Sequence, residues 1–300
     1  MPVAMHTVMI QDRARAVNDI TLENLPVNPI SYIILNLRGL AAVGAPALDD
    51  LLGHWMRIEV LFKGSAILSL SGQDLWRLVN ALWGVEPNIE GFGLVAPNFV
   101  RISVPIPFGR IPYWMDEAMP ATRSGELQLR VQYAPALTNI TTMVETIEVA
   151  QILDASPKRF LKYNTVFDQA VAVGRENIAR LPIGNPLLGI LAFGTTVPDG
   201  AFTATLRRMR LLVDNVPYGY QDCNHDSLKA FVWNRLGFPF AYAVNFSDWD
   251  HYQYMDFDPL KDGSYALPTE GRADVQLRIE SDFADAVRVV PVELVNIAAG

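Results

Sequence analysis

The sequence predicts an all-β fold: two tandem eight-stranded jelly rolls that arose from an internal duplication, each with one short helix. Two observations lead to this prediction. Ordered sequence matches relate the two halves of the chain, and each half holds a series of short strand-like segments with a single amphipathic stretch. The alternation of strands and helices that builds Rossmann and TIM-barrel folds is missing, so both of those classes are excluded.

The duplication is visible as collinear matches that include proline and glycine positions. The separation between matched residues drifts from 158 near the start to 145 near the end, as expected from a few small insertions and deletions. The matches are Thr7-Val8 with Thr165-Val166, Leu25–Val27 with Leu181–Ile183, Met56–Gly84 with Met209–Gly237, Ala118–Pro120 with Ala266–Pro268, Gln128–Arg130 with Gln276–Arg278, and Ile147–Val149 with Val292–Leu294.

A length of 300 residues favours two domains, since domains usually hold about 100–200 residues. The turn-forming segment Asp154–Pro157 lies where the first repeat ends and the second begins. We therefore expect a first jelly roll over residues 1–155 and a second over residues 156–300. No low-complexity linker separates them.

The strand predictions rest on short runs of β-branched and aromatic residues, bounded by glycine or proline. Several of these runs alternate apolar and polar residues with a period of two, which is typical of a half-buried strand. The predicted strands are Ser31–Arg38, Met56–Phe62, Ala66–Leu70, Arg101–Pro107, Leu127–Tyr133 and Thr146–Leu153 in the first half, and Thr203–Val213, His251–Phe257, Asp274–Ile279 and Ala286–Leu294 in the second.

One helix is predicted in each half. In the first, Leu75, Leu78, Val79, Leu82 and Trp83 follow helical spacing, with Ser71 as the cap and Gly84 as the stop. The stripe is repeated in the second half before Gly237, by Leu228, Phe231, Val232 and Leu236. We interpret both stripes as core-facing rather than as binding sites.

Composition excludes several classes of protein. The 24 basic and 32 acidic residues give a formal net charge of −8, which disfavours binding to nucleic acid through phosphates. A single cysteine, Cys223, rules out an internal disulfide. The start of the chain shows no signal-peptide pattern, and the uncharged run Leu181–Pro198 is broken by prolines and glycines, so we expect a soluble protein made in the cytoplasm.

Familiar catalytic motifs are absent from the sequence. There is no G-x-S-x-G, no phosphate-binding loop and no dinucleotide fingerprint, and the four histidines are scattered. Cys223-Asn224-His225 places a thiol near an imidazole, which could form a nucleophile and base, or simply a turn before the second helix. We expect no catalytic residues, no cofactor and no enzyme activity.

Two charged segments remain to be interpreted. Asp248, Asp250, Asp256, Asp258 and Asp262 lie close together, and Asp256, Asp258 and Asp262 are candidate Ca²⁺ ligands because calcium prefers oxygen donors. The spacing lacks the EF-hand pattern, and the other interpretation is a solvated turn. The only basic cluster, Arg207–Arg210, is expected to pair with carboxylates across an interface rather than with phosphates.

The duplicated jelly roll of about 300 residues, with a helix in each half and no active-site motif, resembles the double-jelly-roll major capsid proteins. The nearest group is the small, corticovirus-like type of icosahedral bacterial viruses with an internal membrane. The resemblance is architectural and covers the whole chain. The chain is shorter than larger family members and lacks a long basic N-terminal arm, which puts membrane anchoring by this chain alone in doubt.

The resemblance implies a function and a set of partners. The protein would form pseudo-hexagonal homotrimers that tile an icosahedral shell, and would contact neighbouring trimers and minor capsid or penton proteins. An internal viral membrane is a further implied partner, and direct contact with nucleic acid is not. The protein would be located in the virion after assembly in the host cytoplasm.

A second hypothesis is a carbohydrate-active or glycan-binding protein with two jelly-roll domains. It needs a cleft lined by aromatic residues and paired carboxylates. The candidates are the groups beside tryptophans, namely Asp116-Glu117 near Trp114 and Asp248 and Asp250 around Trp249. Secreted enzymes of this kind usually begin with a signal peptide.

Overall fold

The computed structural model describes residues 3–42, 44–85, 87–91, 95–197, 203–220, 222–236 and 249–297, with backbone only for residues 233–236. The chain forms two compact units. The first comprises Met1–Lys162 and Asn296–Gly300, and the second comprises Tyr163–Val295. Among the described residues, no helix is both long and apolar enough to cross a membrane.

The first unit is built mainly from strands. Its elements are β1 (Val3–Ala14), β2 (Ile20–Asn24), β3 (Ile30–Leu40), α1 (Leu48–Leu52), β4 (Trp55–Phe62), β5 (Ser65–Leu70), α2 (Gly72–Trp83), β6 (Ile89–Glu90), β7 (Phe99–Pro107), β8 (Leu127–Tyr133) and β9 (Val144–Leu153). The chain passes into the second unit within β10 (Arg159–Asn164).

The second unit is likewise built mainly from strands. Its elements are β11 (Phe167–Ala170), β12 (Glu176–Arg180), β13 (Leu187–Gly194), β14 (Arg208–Val213), β15 (Val216–Pro217), β16 (Cys223–Asn224), α3 (His225–Leu236), β17 (Tyr252–Asp256), β18 (Val275–Glu280) and β19 (Ala286–Asn296).

The strands of the two units follow the same order of equivalent neighbours. In the first unit the orders are β1-β9-β3-β7-β6 and β5-β4-β8-β2. In the second they are β11-β19-β13-β17 and β12-β18-β14-β15, with β16 also paired to β14. Most neighbouring strands are distant in sequence, which is the signature of a jelly roll. The predicted tandem jelly-roll fold is confirmed.

Alternating side chains form the core of each unit. In β3 the apolar residues Ile33, Leu35 and Leu37 are fully buried, while the residues between them are partly exposed. The alternation predicted for β8 is likewise observed. The second unit has its own apolar cluster, centred on strands such as β13 and β18. Burial of one face of each strand fixes the sheet register, because a one-residue slip would turn every core side chain outward.

The two predicted helices are confirmed. Helix α2 begins after Ser71, whose hydroxyl accepts the Asp74 backbone N–H at 3.1 Å, and it ends at Gly84, which adopts a left-handed conformation at φ 70°. Helix α3 lies 153 positions later at both ends. Its stop residue, Gly237, lies outside the described residues.

Other elements differ from the predictions. Helix α1 gives the first unit two helices instead of one; its Leu48, Leu51 and Leu52 are buried, but five residues are too few to show helical periodicity. Strand β1 is long, and apart from Ile10 its residues are exposed or only partly buried on both faces, so it carries no alternation signal. The strand predicted over Thr203–Val213 begins only at Arg208.

A pair of backbone hydrogen bonds occurs at equivalent positions within each unit. Ile30 and Met119 exchange both backbone hydrogen bonds, at 3.0 and 2.9 Å. Leu187 and Leu267 do the same at 3.0 and 2.9 Å. Ile30 and Leu187 are 157 positions apart, and Met119 and Leu267 are 148 positions apart. The same pair of hydrogen bonds is therefore formed once in each unit.

A β-bulge also occurs at equivalent positions. In the pairing of β3 with β9, Ser31 is the extra residue, and its carbonyl accepts the Phe108 N–H at 3.0 Å. In the pairing of β13 with β19, Leu188 is the extra residue, and its carbonyl accepts the Phe257 N–H at 2.9 Å. Since bulges are specific features that re-aim a strand, a shared bulge supports common origin.

The structure corrects one sequence match. The pairing partners of β3 and β13 place Gln151 opposite Ile30 and Glu293 opposite Leu187, so β9 and β19 are related by 142 positions. The match of Ile147–Val149 with Val292–Leu294 assumed a separation of 145 positions, which is three positions too many. The apolar alternation of both strands made the false alignment look acceptable.

Equivalent helix positions should make equivalent contributions to stability. Leu75 and Leu228 occupy the same position of α2 and α3 and are 0% and 2% exposed. We expect Leu75→Ala and Leu228→Ala each to lower the free energy of unfolding by about 2–5 kcal/mol, measured by urea denaturation, because each leaves a cavity. Phe231 of the same stripe is not core-facing as predicted but 43% exposed, so Phe231→Ala is the control and should cost less than about 1 kcal/mol. A small effect of Leu228→Ala would contradict the equivalence.

Candidate functional site

The most distinctive surface feature is a pair of matching apolar edges. We define the β2 edge as Val17–Val27 and the β12 edge as Val173–Ile183; the two segments are related by 156 positions throughout. Three large apolar residues of each edge are exposed at matched positions: Val17 (41%), Leu22 (54%) and Val27 (44%) in one, and Val173 (54%), Ile178 (46%) and Ile183 (44%) in the other.

Both segments lie at the margin of a sheet. Strands β2 and β12 are each the terminal strand in their sheet order. In register, Leu22 pairs with Arg130 of β8, and Ile178 pairs with Arg278 of β18. Edge strands present unpaired backbone groups and are natural sites of association with another chain. The matched apolar residues therefore lie where a partner could bind.

The basic cluster Arg207–Arg210 lies on the sheet that contains β12. Arg210 contacts Glu176 at 3.2 Å, and Arg207 contacts Asp282 at 2.8 Å. Arg208 is 3.9 Å from Glu280. The expected pairing with carboxylates is found, but the partners belong to the same unit rather than to another subunit. These side chains are 39–46% exposed, so each pair contributes little stability.

The carboxylates proposed for carbohydrate chemistry are engaged elsewhere. Glu117 is completely buried between Arg110, whose Nε donates to it at 2.9 Å, and Arg159 at 3.4 Å. Asp116 pairs with Lys158 at 3.1 Å. Trp114 lies over the Arg110 guanidinium, 5.2 Å from ring centroid to Cζ. This arrangement stabilises a loop and leaves Glu117 inaccessible to a substrate.

The second proposed group is similarly occupied. Trp249 is only 3% exposed, so its ring cannot stack on a sugar. Asp250 forms an ion pair with Lys229 of α3. Asp248 lies outside the described residues. The two tryptophan-centred groups therefore do not line an open glycan cleft in the part of the chain that the structure describes.

The Cys223 and His225 side chains are not arranged as a nucleophile and base. Burial raises the pKa of the Cys223 thiol, which is the opposite of the shift that activates a nucleophile. His225 is buried, and the Gln253 amide nitrogen lies 3.1 Å from its Nδ1. The turn interpretation was also wrong, because Cys223 and Asn224 form strand β16 against β14 and His225 begins helix α3.

The candidate calcium ligands lie in a loop held by its own hydrogen bonds. The Asp258 N–H donates to Asp256 at 2.8 Å, the Gly263 N–H to Asp258 at 2.7 Å, and the Ser264 N–H to Asp262 at 2.8 Å. Nowhere in the described ranges do three or more histidine, cysteine or acidic residues group in a way that could hold a metal. A calcium role for Asp256, Asp258 and Asp262 stays a prediction.

A shallow groove of about 230 Å³ lies on the exposed face of the β1-β9-β3-β7-β6 sheet. Arg38 and Arg101 lie opposite each other there in register. Arg38 is paired with Asp12 at 3.1 Å, and Arg101 with Glu90 at 3.4 Å. The charges of the groove are thus compensated across strands, as on an ordinary solvated sheet face.

Comparisons with known proteins identify the fold. No family model matches the sequence, and no curated protein matches it. Solved structures match over nearly the whole chain. The major capsid protein of Sulfolobus turreted icosahedral virus is 14% identical, with 98% of this chain and 97% of that chain covered and a TM-score of 0.72. The major capsid protein of bacteriophage PM2 is 12% identical, with 99% and 98% covered and a TM-score of 0.68. The PBCV-1 virus capsid is 10% identical, with 98% and 94% covered and a TM-score of 0.69.

These matches confirm the resemblance to double-jelly-roll major capsid proteins at the level of fold. The identities are low, so the likeness concerns architecture and says nothing of individual residues. The exposure of the matched residues of the β2 and β12 edges was not predicted from the sequence. The signal was present in the match of Leu25–Val27 with Leu181–Ile183, but exposure could be assigned only once the sheets were known.

The buried histidines predict how stability depends on pH. Burial lowers the pKa of His54 and of His225, while the unfolded chain has the ordinary histidine pKa of about 6.5. The unfolded state therefore binds more protons, and the free energy of unfolding should fall as the pH is lowered through about 6.5. Denaturant titrations between pH 7.5 and pH 5 should show a shallower fall for His225→Gln than for the wild type. Parallel profiles would contradict this prediction.

Proposed function

We propose that the chain is the major capsid protein of an icosahedral virus. The observation that carries this proposal is the match of the entire chain to the double-jelly-roll fold of capsid proteins from three different viruses. The internal symmetry of the chain supports it. Two units with the same strand order give each subunit two similar building blocks, and a shell needs many similar contacts from few kinds of part.

The oligomer that suits this chain is a homotrimer. Three copies place six jelly rolls around a three-fold axis, which gives a pseudo-hexagonal outline that tiles a surface. Half of the residues are apolar, and large apolar side chains remain exposed on both units. Exposed apolar patches on a single chain usually mark interfaces. The two repeats that act as building blocks are residues 1–155 and 156–300.

The location and the partners proposed for the protein follow from the same resemblance. The protein is a structural component of the virion without enzyme activity, assembled in the host cytoplasm. Its partners are neighbouring trimers and minor capsid or penton proteins, with an internal membrane beneath a shell of corticovirus-like type. The net charge of −8 supports a shell that does not bind the enclosed genome.

The structure does not favour a carbohydrate-active or glycan-binding function. Its best acidic candidate, Glu117, is buried between two arginines, and Trp249 is buried as well. No solved structure among those compared above is a glycan-active protein.

The mass of the purified protein in solution tests the proposal. Light scattering near neutral pH should give about three times the chain mass of 33.3 kDa, or larger assemblies built from that unit. Dilution through the micromolar range should leave the trimer intact, because a shell-forming interface is extensive. A stable monomer across that range, with no tendency to assemble, would contradict the proposal.

A further inference from the structure

The first strand of each repeat can be compared between the two units. Ile10 of β1 pairs with Ile147 of β9. Phe167 of β11 pairs with Val289 of β19. Because β9 and β19 are related by 142 positions, Ile10 and Phe167 are equivalent. The part of β1 that precedes Ile10 therefore corresponds to the strand that precedes Phe167, which is β10.

These equivalent strands differ in exposure. Strand β10 is hydrogen-bonded to a strand on each side, β19 and β5, and its Phe160, Leu161 and Tyr163 are buried. Strand β1 is bonded only to β9 and is the terminal strand in its sheet order. Its Val3 and Val8 are 53% and 54% exposed. A strand edge that is closed in one repeat is thus open in the other.

Strand β5, which closes the edge of β10, also has an open counterpart. Strands β4 and β14 are equivalent, since they carry the match of Met56–Val60 with Met209–Val213. Strand β5 follows β4 in the chain and pairs with it, as β15 follows β14 and pairs with it. On its other side β5 is bonded to β10, whereas β15 is terminal in its sheet order. Val216 of β15 is 63% exposed.

We propose that β1 of one copy of the chain pairs with β15 of a second copy, in the way that β10 pairs with β5 within each chain. The inference rests on the proposed function, because it assigns the contact that closes the trimer. The two edges are not equivalent to each other, and each copy offers one of each kind. Contacts of this head-to-tail type close into a ring, and they cover the exposed apolar residues of both edges.

Strand β1 is prepared for such a contact because its own unit holds it in place. Directly after the strand, Arg15 Nε donates to the buried Glu145 carboxylate at 2.9 Å. Within the strand, the Thr7 hydroxyl accepts the Gln151 amide N–H at 2.8 Å. A strand that is already fixed loses little conformational entropy when a partner binds. An open edge of twelve residues is also a site at which other chains readily pair.

The backbone groups of β1 that face the open edge can be identified. The Ile152 N–H donates to Pro29 at 2.9 Å, on the side of β9 that faces β3. Ala4 lies directly opposite Ile152 in the pairing of β1 with β9. Two residues in such an antiparallel pair direct their N–H and C=O groups away from each other. The Ala4 N–H therefore points to the open edge, where the second copy would accept it.

A proline at this position tests the contact. Ala4→Pro removes the outward N–H and leaves the hydrogen bonds between β1 and β9 in place. We expect the concentration at which the trimer dissociates to rise at least about tenfold, because a hydrogen bond is lost and the ring of proline obstructs the pairing.

Leu22→Pro is the matched control, on the terminal strand β2 of the same unit. Leu22 lies opposite Arg130 of β8. The Tyr133 N–H and the Leu127 carbonyl bond to the β2 segment, so the backbone groups of Arg130 point the other way and those of Leu22 point outward. Strands β2 and β12 are terminal in both units, so neither has a paired counterpart in the chain. The control should leave dissociation of the trimer unchanged.

Pairs of charges test whether β1 and β15 meet each other. Val8 and Val216 are both exposed, so charges at these positions should not disturb folding. V8D/V216K brings opposite charges together at each contact, and V8D/V216D brings like charges together. In about 0.01 M salt, where charges act over about 30 Å, the second variant should dissociate at a concentration at least about tenfold higher than the first. The control pair L22D/V216K and L22D/V216D should show a smaller difference.

Sedimentation velocity gives the oligomeric state, and circular dichroism verifies that each full-length variant is folded. Weakening by Ala4→Pro but not by Leu22→Pro, together with the dependence on charge sign, supports the proposal. A wild-type trimer that Ala4→Pro leaves unchanged, or that shows the same charge dependence in the control pair, would overturn this contact while the proposed function stands. A wild type that is monomeric would overturn both.

Discussion

The register of one central strand in each unit, β3 and its counterpart β13, is the constraint on which the rest of the structure depends. Each strand is hydrogen-bonded on both sides, to β9 and β7 in the first unit and to β19 and β17 in the second. The bulge at Ser31 and at Leu188 sets the step in that register. A one-residue error would exchange the buried and exposed faces of the whole sheet.

A polar contact secures the same place in both units. Asn28 donates to Gln151 at 3.0 Å, and Asn185 donates to Glu293 at 2.8 Å. Gln151 and Glu293 are both buried, so the polar side chain of each needs a hydrogen-bond partner. The acceptor is the side-chain amide of Gln151 in the first unit and the carboxylate of Glu293 in the second. The position of the hydrogen bond is the same in both units, although the acceptor residue differs. The two units therefore share the register and the hydrogen bond but not the type of the acceptor residue.

Much of the fold could be predicted because its determinants are local. Alternation in β8, the cap at Ser71 and the stop at Gly84 are each contained within a few residues, and the duplication is a property of the sequence itself. The elements that were not predicted were missed for physical reasons. Helix α1 is too short for a periodic signal, and β1, apart from Ile10, is exposed or only partly buried on both faces and so lacks alternation.

The fate of the candidate site residues was less predictable because it depends on distant partners. Nothing near Glu117 in the sequence indicates that Arg159 will neutralise it from another segment, or that Trp249 will be buried. The edge residues show the opposite case. Their matching in the two halves could be seen in the sequence, but only the sheet order reveals that Leu22 and Ile178 lie on terminal strands.

Under the proposed function, the two units act as similar building blocks of one closed assembly. Cryo-electron microscopy of the purified full-length chain tests it most directly. Class averages viewed along the symmetry axis should show six lobes of similar size arranged with three-fold symmetry. Two-lobed single particles, or an assembly in which only one kind of unit surrounds the axis, would contradict the claim.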